Sequence, residues 1–214
     1  MKYTSFIVLL FLFSISNTQN NRITSGFKSC EESFYIQTLF PIFGKSFVIE
    51  HFKMDSVNSY FNYIDYTINE SYLKARVKNL DTIKAIPTEY VLILNVIHND
   101  QKIGFVKVGC HYQDNLIRAD KWKGLKDYLK PQLKVIEGKV INLEKALTIS
   151  KNRGYEITSW EIDYETKQNS NDYKIFFPRL IWTLKEQKNN RRTKVLQINA
   201  KNGRVIKEYQ EFTF

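Results

Sequence analysis

Apolar and small residues recur at Leu143, Ala146, Leu147 and Ser150, the i, i+3, i+4, i+7 spacing of one helical face. Asn142 stands where an N-cap belongs, and Glu144 lies in the first turn, where the helix dipole favours an anion. Lys151 and Arg153 occupy the last turn, and Gly154 is placed to close it. The pattern predicts a helix that begins after Asn142 and stops at Gly154. Beyond it the period drops to two. In Tyr155–Tyr164, Ile157, Ser159, Glu161 and Asp163 alternate with Glu156, Thr158, Trp160 and Ile162, and further strands are predicted at Leu180–Leu184, Lys194–Ile198 and Arg204–Tyr209. The polar stretches 165–172 and 185–193 read as loops. Asn202-Gly203 lies between two hydrophobic runs, a hairpin signal because both residues tolerate positive φ. Its register puts Leu196 and Ile198 on one face. The C-terminal half therefore predicts an α+β unit, an antiparallel meander with a helix packed on one face.

The first half repeats part of this plan. Pro87 and Pro178 each open a strand, a polar turn and a second strand. Residues 106–117 and 195–206 have equal length, with Asp114-Asn115 standing where Asn202-Gly203 stands, so two tandem related units are one expectation. Residues 46–54 read as a strand, and residues 55–86 as mainly helical with a broken apolar pattern. Residues 121–139 are Lys-rich, with helical spacing at Trp122, Leu125, Tyr128 and Leu129; Pro131 is expected to end or bend that helix. The division expected is a signal peptide over 1–19, an N-terminal α+β region over 20–120, a connecting segment over 121–138 and a C-terminal domain over 139–214.

The N-terminus adds a location. Lys2 precedes the apolar run Phe6–Phe13, and Ser14-Ile15-Ser16 supplies small residues for cleavage. This is the layout of a secretory signal, and the run is far shorter than the ~20 residues a membrane-spanning helix needs. The mature chain is expected to start between Asn17 and Asn20, without a transmembrane span, in a secreted or periplasmic location. A buried N-terminal helix is the alternative.

Two cysteines, Cys30 and Cys110, either form one disulfide in the exported protein or leave Cys110 as a small buried hydrophobe. Val106, Val108, Cys110 and Tyr112 alternate onto one strand face. The chain of 214 residues carries a net charge of +10, with 43% hydrophobic residues, a globular composition. Residues 118–214 hold 21 Lys/Arg against 12 Asp/Glu, so the basic excess belongs to the C-terminal half. It is either a solvated face or a docking surface for an acidic protein or a polyanion.

Three C-terminal segments resemble the PepSY domain family, found in peptidase propeptides and related exported bacterial proteins. Residues 141–155 look like its helix, with an early acidic residue, Ala146, and a glycine near the end. Pro178 and Trp182 look like its proline-then-tryptophan strand. Residues 195–206 look like its closing strand-turn-strand, where Ala200, Gly203 and Val205 fit, Asn199 replaces an Asp and Asn202 replaces a Thr. The likeness covers about residues 139–210. It implies a small α+β module that is not itself catalytic and that binds or restrains peptidases or acts in the cell envelope. With no peptidase domain in this sequence, it implies restraint in trans.

No catalytic, cofactor or metal constellation emerges. His51, His98 and His111 lack HxH or HExxH spacing, and CxxC spacing is absent. A Cys110–His nucleophile pair is a poor candidate where Cys110 has a disulfide partner. Asp163 and Glu165 share a strand face but sit among Lys and polar residues, which favours solvation over acid–base work. Arg191, Arg192 and Lys194 form the clearest basic contact; export and the lack of interleaved aromatics argue against nucleic acid as partner. The expectation is a non-enzymatic binding protein, with a peptidase as the protein partner. The alternatives are a cell-envelope polyanion binder and a secreted hydrolase with an unrecognised site.

Overall fold

The structure, a computed structural model, describes residues 26–65, 70–76, 86–111, 124–165 and 179–213. The chain is α+β and divides into two compact units. The first takes residues 1–95 and 105–123, the second residues 96–104 and 124–214. The expected signal peptide, Tyr112, Asp114-Asn115 and Pro178 all lie outside the described residues.

In the first unit a helical run over 26–43 (α1) passes through one π turn, Tyr35–Leu39. After Gly44, α2 follows at Lys45–His51, then β1 at Phe52–Met54. Residues 46–51 were expected as strand. They are helical because Phe47 and His51, one turn apart, put their rings 4.5 Å from each other, while Val48 and His51 are buried together on one face. Residues 55–86 were expected to be mainly helical; instead β2, Tyr60–Asp65, pairs antiparallel with β3, Glu70–Arg76. The start of that stretch does imitate a helix. Asp55 accepts from the backbone N–H of Asn58 at 3.0 Å, as an N-cap would. The turn then stops, because Ser59, fully buried, receives Ile93 N–H at 3.0 Å and fixes the chain beside a strand.

That strand is β4, Ile86–His98, which pairs with β1, β2 and with β5, Gln101–His111. Asn99 and Asp100, at φ 49° and 59°, make the tight turn between β4 and β5, the conformation that matches strand twist. Val106, Val108 and Cys110 are buried on one face of β5, while Lys107 and Gly109 are exposed. Cys30 of α1 and Cys110 are disulfide-bonded and fully buried.

Beyond residues 96–104, the second unit contains α3, Leu125–Tyr128, and α4, Lys130–Ile136. The helix around Leu125 and Tyr128 ends just before Pro131, as expected, and Pro131 itself occupies the first turn of α4, where a missing N–H costs nothing. Next comes α5, Leu143–Lys151, capped by Asn142, whose side chain accepts from Lys145 N–H at 3.0 Å. Leu143, Ala146 and Ser150 are its buried positions, and Gly154 closes it at φ 77°. Four strands follow in the order β6-β7-β8-β9, an antiparallel meander: Ser159–Tyr164, Leu180–Asn189, Arg192–Asn199 and Val205–Phe212. Residues 155–158, read as strand, precede β6. Most of 185–193, read as loop, belongs to β7 and β8 with only Asn190-Arg191 at the turn. Polarity misleads there because that end of the hairpin is solvated.

Face to face across β7 and β8 stand Trp182 with Ile198 and Leu184 with Leu196, all four fully buried. Ile162 of β6 sits beside Trp182 on the same face.

Candidate functional site

Of the residues singled out from the sequence in the C-terminal half, Ala146, Trp182, Asn199, Ala200 and Gly203 are described, and they help hold the second unit together. Ala146 and Trp182 are fully buried. Trp182 Nε1 donates to Ile141 O at 3.0 Å. Ala200, also fully buried, donates its N–H to Leu180 O and accepts from Ile141 N–H, each at 2.8 Å. Asn199 Oδ1 accepts from Lys201 N–H at 2.8 Å, and Asn202 Oδ1 from Arg204 N–H at 3.0 Å. Only Gly203 of the Asn-Gly pair takes positive φ, 76°, so the hairpin closes through a longer loop than a two-residue turn. A Cβ on Gly203 would lie 3.1 Å from Ile149 of α5, so close approach to the helix adds to the conformational demand.

The histidines are dispersed. His51 is buried at the end of α2, 3.7 Å from Glu50; His98 ends β4, and His111 ends β5. Among the described residues no group of three or more His, Cys, Asp or Glu is placed to hold a metal ion. Glu165 follows β6 and pairs with Arg179 at 3.4 Å; Asp163 Oδ1 accepts from Tyr164 N–H. Trp160 is part-exposed and donates Nε1 to Lys102 O at 2.7 Å.

The basic residues divide by strand register. Lys194 lies opposite Glu186 and within 3.9 Å of its carboxylate, with Lys188 as the closer partner. Glu186 is only 2% exposed, and the hydrogen bond from Lys188 holds its carboxyl below the usual range, helped by the backbone of Glu156 and both lysine charges against the cost of burial. Lys194 also stands 5.7 Å from the Tyr155 ring centre. It therefore belongs to a structural pair rather than to an open contact.

Arg191 and Arg192 remain at the surface. Asn189 Oδ1 accepts from Arg191 N–H at 3.0 Å, and Arg191 O accepts from Thr213 N–H at 3.1 Å, which fixes the turn. The Arg192 guanidinium lies 5.5 Å from the Phe212 ring centre, directly across the β8–β9 ladder. With Asn189 and Asn190 these residues line an open hollow of about 620 Å³ in which no lining side chain is acidic. Phe212 was not singled out from the sequence. Counting outward from the 199–204 turn would have set Glu211 opposite Arg192; the irregularity between Gln197 and Ile198 shifts the register by one and brings Phe212 there instead. A guanidinium fork beside an aromatic ring suits a carboxylate or another planar anion.

A second hollow, about 460 Å³, is lined by His98, Lys139, Lys145 and Lys201 before α5. Lys139 there pairs with Glu137 at 2.7 Å. Among the described residues no helix is long and apolar enough to cross a membrane. No protein-family model matches the chain, and neither a curated protein nor a solved structure matches it.

Proposed function

We propose that this chain is an exported binding protein without catalysis of its own, which docks an acidic protein surface through the Arg191–Arg192 end of its second sheet. The hollow at that end carries the proposal: two arginines, two asparagines and Phe212 present donors and a ring with no lining carboxylate. Residues 179–213 hold nine Lys/Arg against three Glu, a field that steers an acidic partner. The Cys30–Cys110 disulfide supports export, because such bonds persist in oxidising compartments. The PepSY-like arrangement of α5, Trp182 and the 199–204 turn favours a peptidase as the partner, restrained in trans.

The test is an inhibition titration against peptidases secreted by the source organism, with the protein and its Arg191→Ala/Arg192→Ala variant. Saturable inhibition near one-to-one, weakened about tenfold or more in the variant, is expected. Absence of inhibition at large excess would remove the peptidase reading. Tight binding to heparin instead, lost in the same variant, would move the assignment to a polyanion.

A further inference from the structure

β9 ends the four-stranded sheet, and among the described residues no strand pairs with its outer side. The direction of its backbone groups is set at Thr213, whose N–H reaches inward to Arg191 O. Inward and outward residues alternate along an antiparallel ladder. Lys207, Tyr209 and Glu211 thus bond toward β8, while Glu208, Gln210 and Phe212 direct N–H and C=O outward.

We propose that this outer edge pairs antiparallel with β9 of a second copy of the chain, about a two-fold axis at Tyr209. A two-fold contact must be self-complementary, and this register is. Lys207 comes opposite Glu211 of the second copy, and Glu211 opposite its Lys207. Tyr209 meets Tyr209, and Glu208 meets Gln210. The neighbouring registers lose the match. An axis at Glu208 sets that carboxylate opposite its own copy; one at Gln210 sets Lys207 opposite Thr213; one between Glu208 and Tyr209 sets Lys207 opposite Gln210 and Glu211 opposite Ile206.

The side chains already form a row on one sheet face. Lys207 Nζ lies 4.6 Å from the Tyr209 ring centre, and Tyr209 Oη is 3.3 Å from Glu211. In the proposed ladder 207, 209 and 211 occupy the non-hydrogen-bonded positions, where opposing side chains come closest. Glu208 and Gln210 occupy the hydrogen-bonded positions, so four backbone bonds join the copies at the centre. Phe212, 53% exposed, comes opposite the bulged Val205–Ile206 segment and gains cover. Charged residues that would otherwise blunt an edge strand become cross-strand pairs here.

Sedimentation equilibrium of the purified protein tests this. A reversible dimer is expected below about 0.5 mM. Gln210→Pro removes an outward N–H that β8 does not use, and is expected to abolish the dimer while leaving the fold intact by circular dichroism. Lys207→Glu turns two attractive pairs repulsive and is expected to weaken association about tenfold, with Lys207→Glu/Glu211→Lys recovering to within about threefold. The charge-swap pair decides the matter should Gln210→Pro disturb folding. A protein monomeric throughout that range, or a dimer indifferent to Lys207→Glu, would overturn the proposal.

Discussion

The indole of Trp182 donates to the carbonyl of Ile141 at 3.0 Å, joining the sheet's central strand to the loop that launches α5. The bond belongs to a short chain of links: Ile141 N–H reaches Ala200 O, and Ala200 N–H reaches Leu180 O. Strand, turn and helix entry are thereby held by one set of groups. Trp182→Phe keeps most of the apolar volume but orphans the carbonyl, and should lower unfolding free energy by about 1–2 kcal/mol. Trp182→Ala should cost about 3–5 kcal/mol. Urea denaturation separates the two. A phenylalanine variant as stable as the parent would show that the indole N–H contributes nothing.

The disulfide closes a sequence separation of 80 between α1 and β5. In the chain-entropy account a loop of that length is worth about 4 kcal/mol. The double variant Cys30→Ala/Cys110→Ala should lose stability of that order in urea, and dithiothreitol should act similarly on the parent protein alone. A loss under about 1 kcal/mol would mean that the first unit stands without its staple.

Glu186 gives the second sheet a dependence on acid. Its folded carboxyl titrates below the ordinary 4.5, chiefly through the Lys188 hydrogen bond. A depressed folded value stabilises the native state above the unfolded value, and that share is lost as pH falls through the folded one. Urea midpoints should therefore drop below about pH 4.5. Glu186→Gln should flatten that part of the profile at a cost of about 1 kcal/mol at neutral pH. An unchanged acid limb in the variant would assign the effect to other carboxylates.

Tyr35 makes the corresponding prediction in alkali. Burial first, and the Glu31 charge second, push its phenol up to about 12. The unfolded chain loses this proton near the ordinary value of 10. Stability is complete below that point and declines as pH rises toward the folded value. Tyr155 and Tyr209 are also raised, so absorbance at alkaline pH should show several late-titrating phenols, of which the one near 12 disappears in Tyr35→Phe. A variant that titrates like the parent would refute the assignment.

Elements whose signals are local were legible in the sequence. The α5 helix needs only its Asn142 cap, its 143/146/150 face and Gly154, all within a dozen residues, and each takes the role its chemistry predicts. The meander was legible in its existence and order, from short apolar runs between polar stretches, while its strand ends were not, because β7 and β8 run on into solvated residues. Residues 46–51, 60–65 and 70–76 were misread because their local signals point the wrong way. Asp55 imitates an N-cap, and the apolar, partly β-branched run Phe47-Val48-Ile49 imitates a strand.

The candidate site divides along the same line. Arg191 and Arg192 stand out as a basic pair in the sequence itself, because charge is a property of composition. Whether each is free to meet a partner is decided by register. Pairing of β7 with β8 commits Lys194 to buried Glu186, and pairing of β8 with β9 brings Phe212 beneath Arg192 from 20 residues away. The sequence by itself determined the α+β class, the capped helix and the basic C-terminal half, since each depends on residues close together in the chain. The tertiary structure alone decided which cations are neutralised, whether the two cysteines meet and which strand is left at the edge. Those outcomes depend on backbone hydrogen bonds between segments far apart in sequence, which no local pattern encodes.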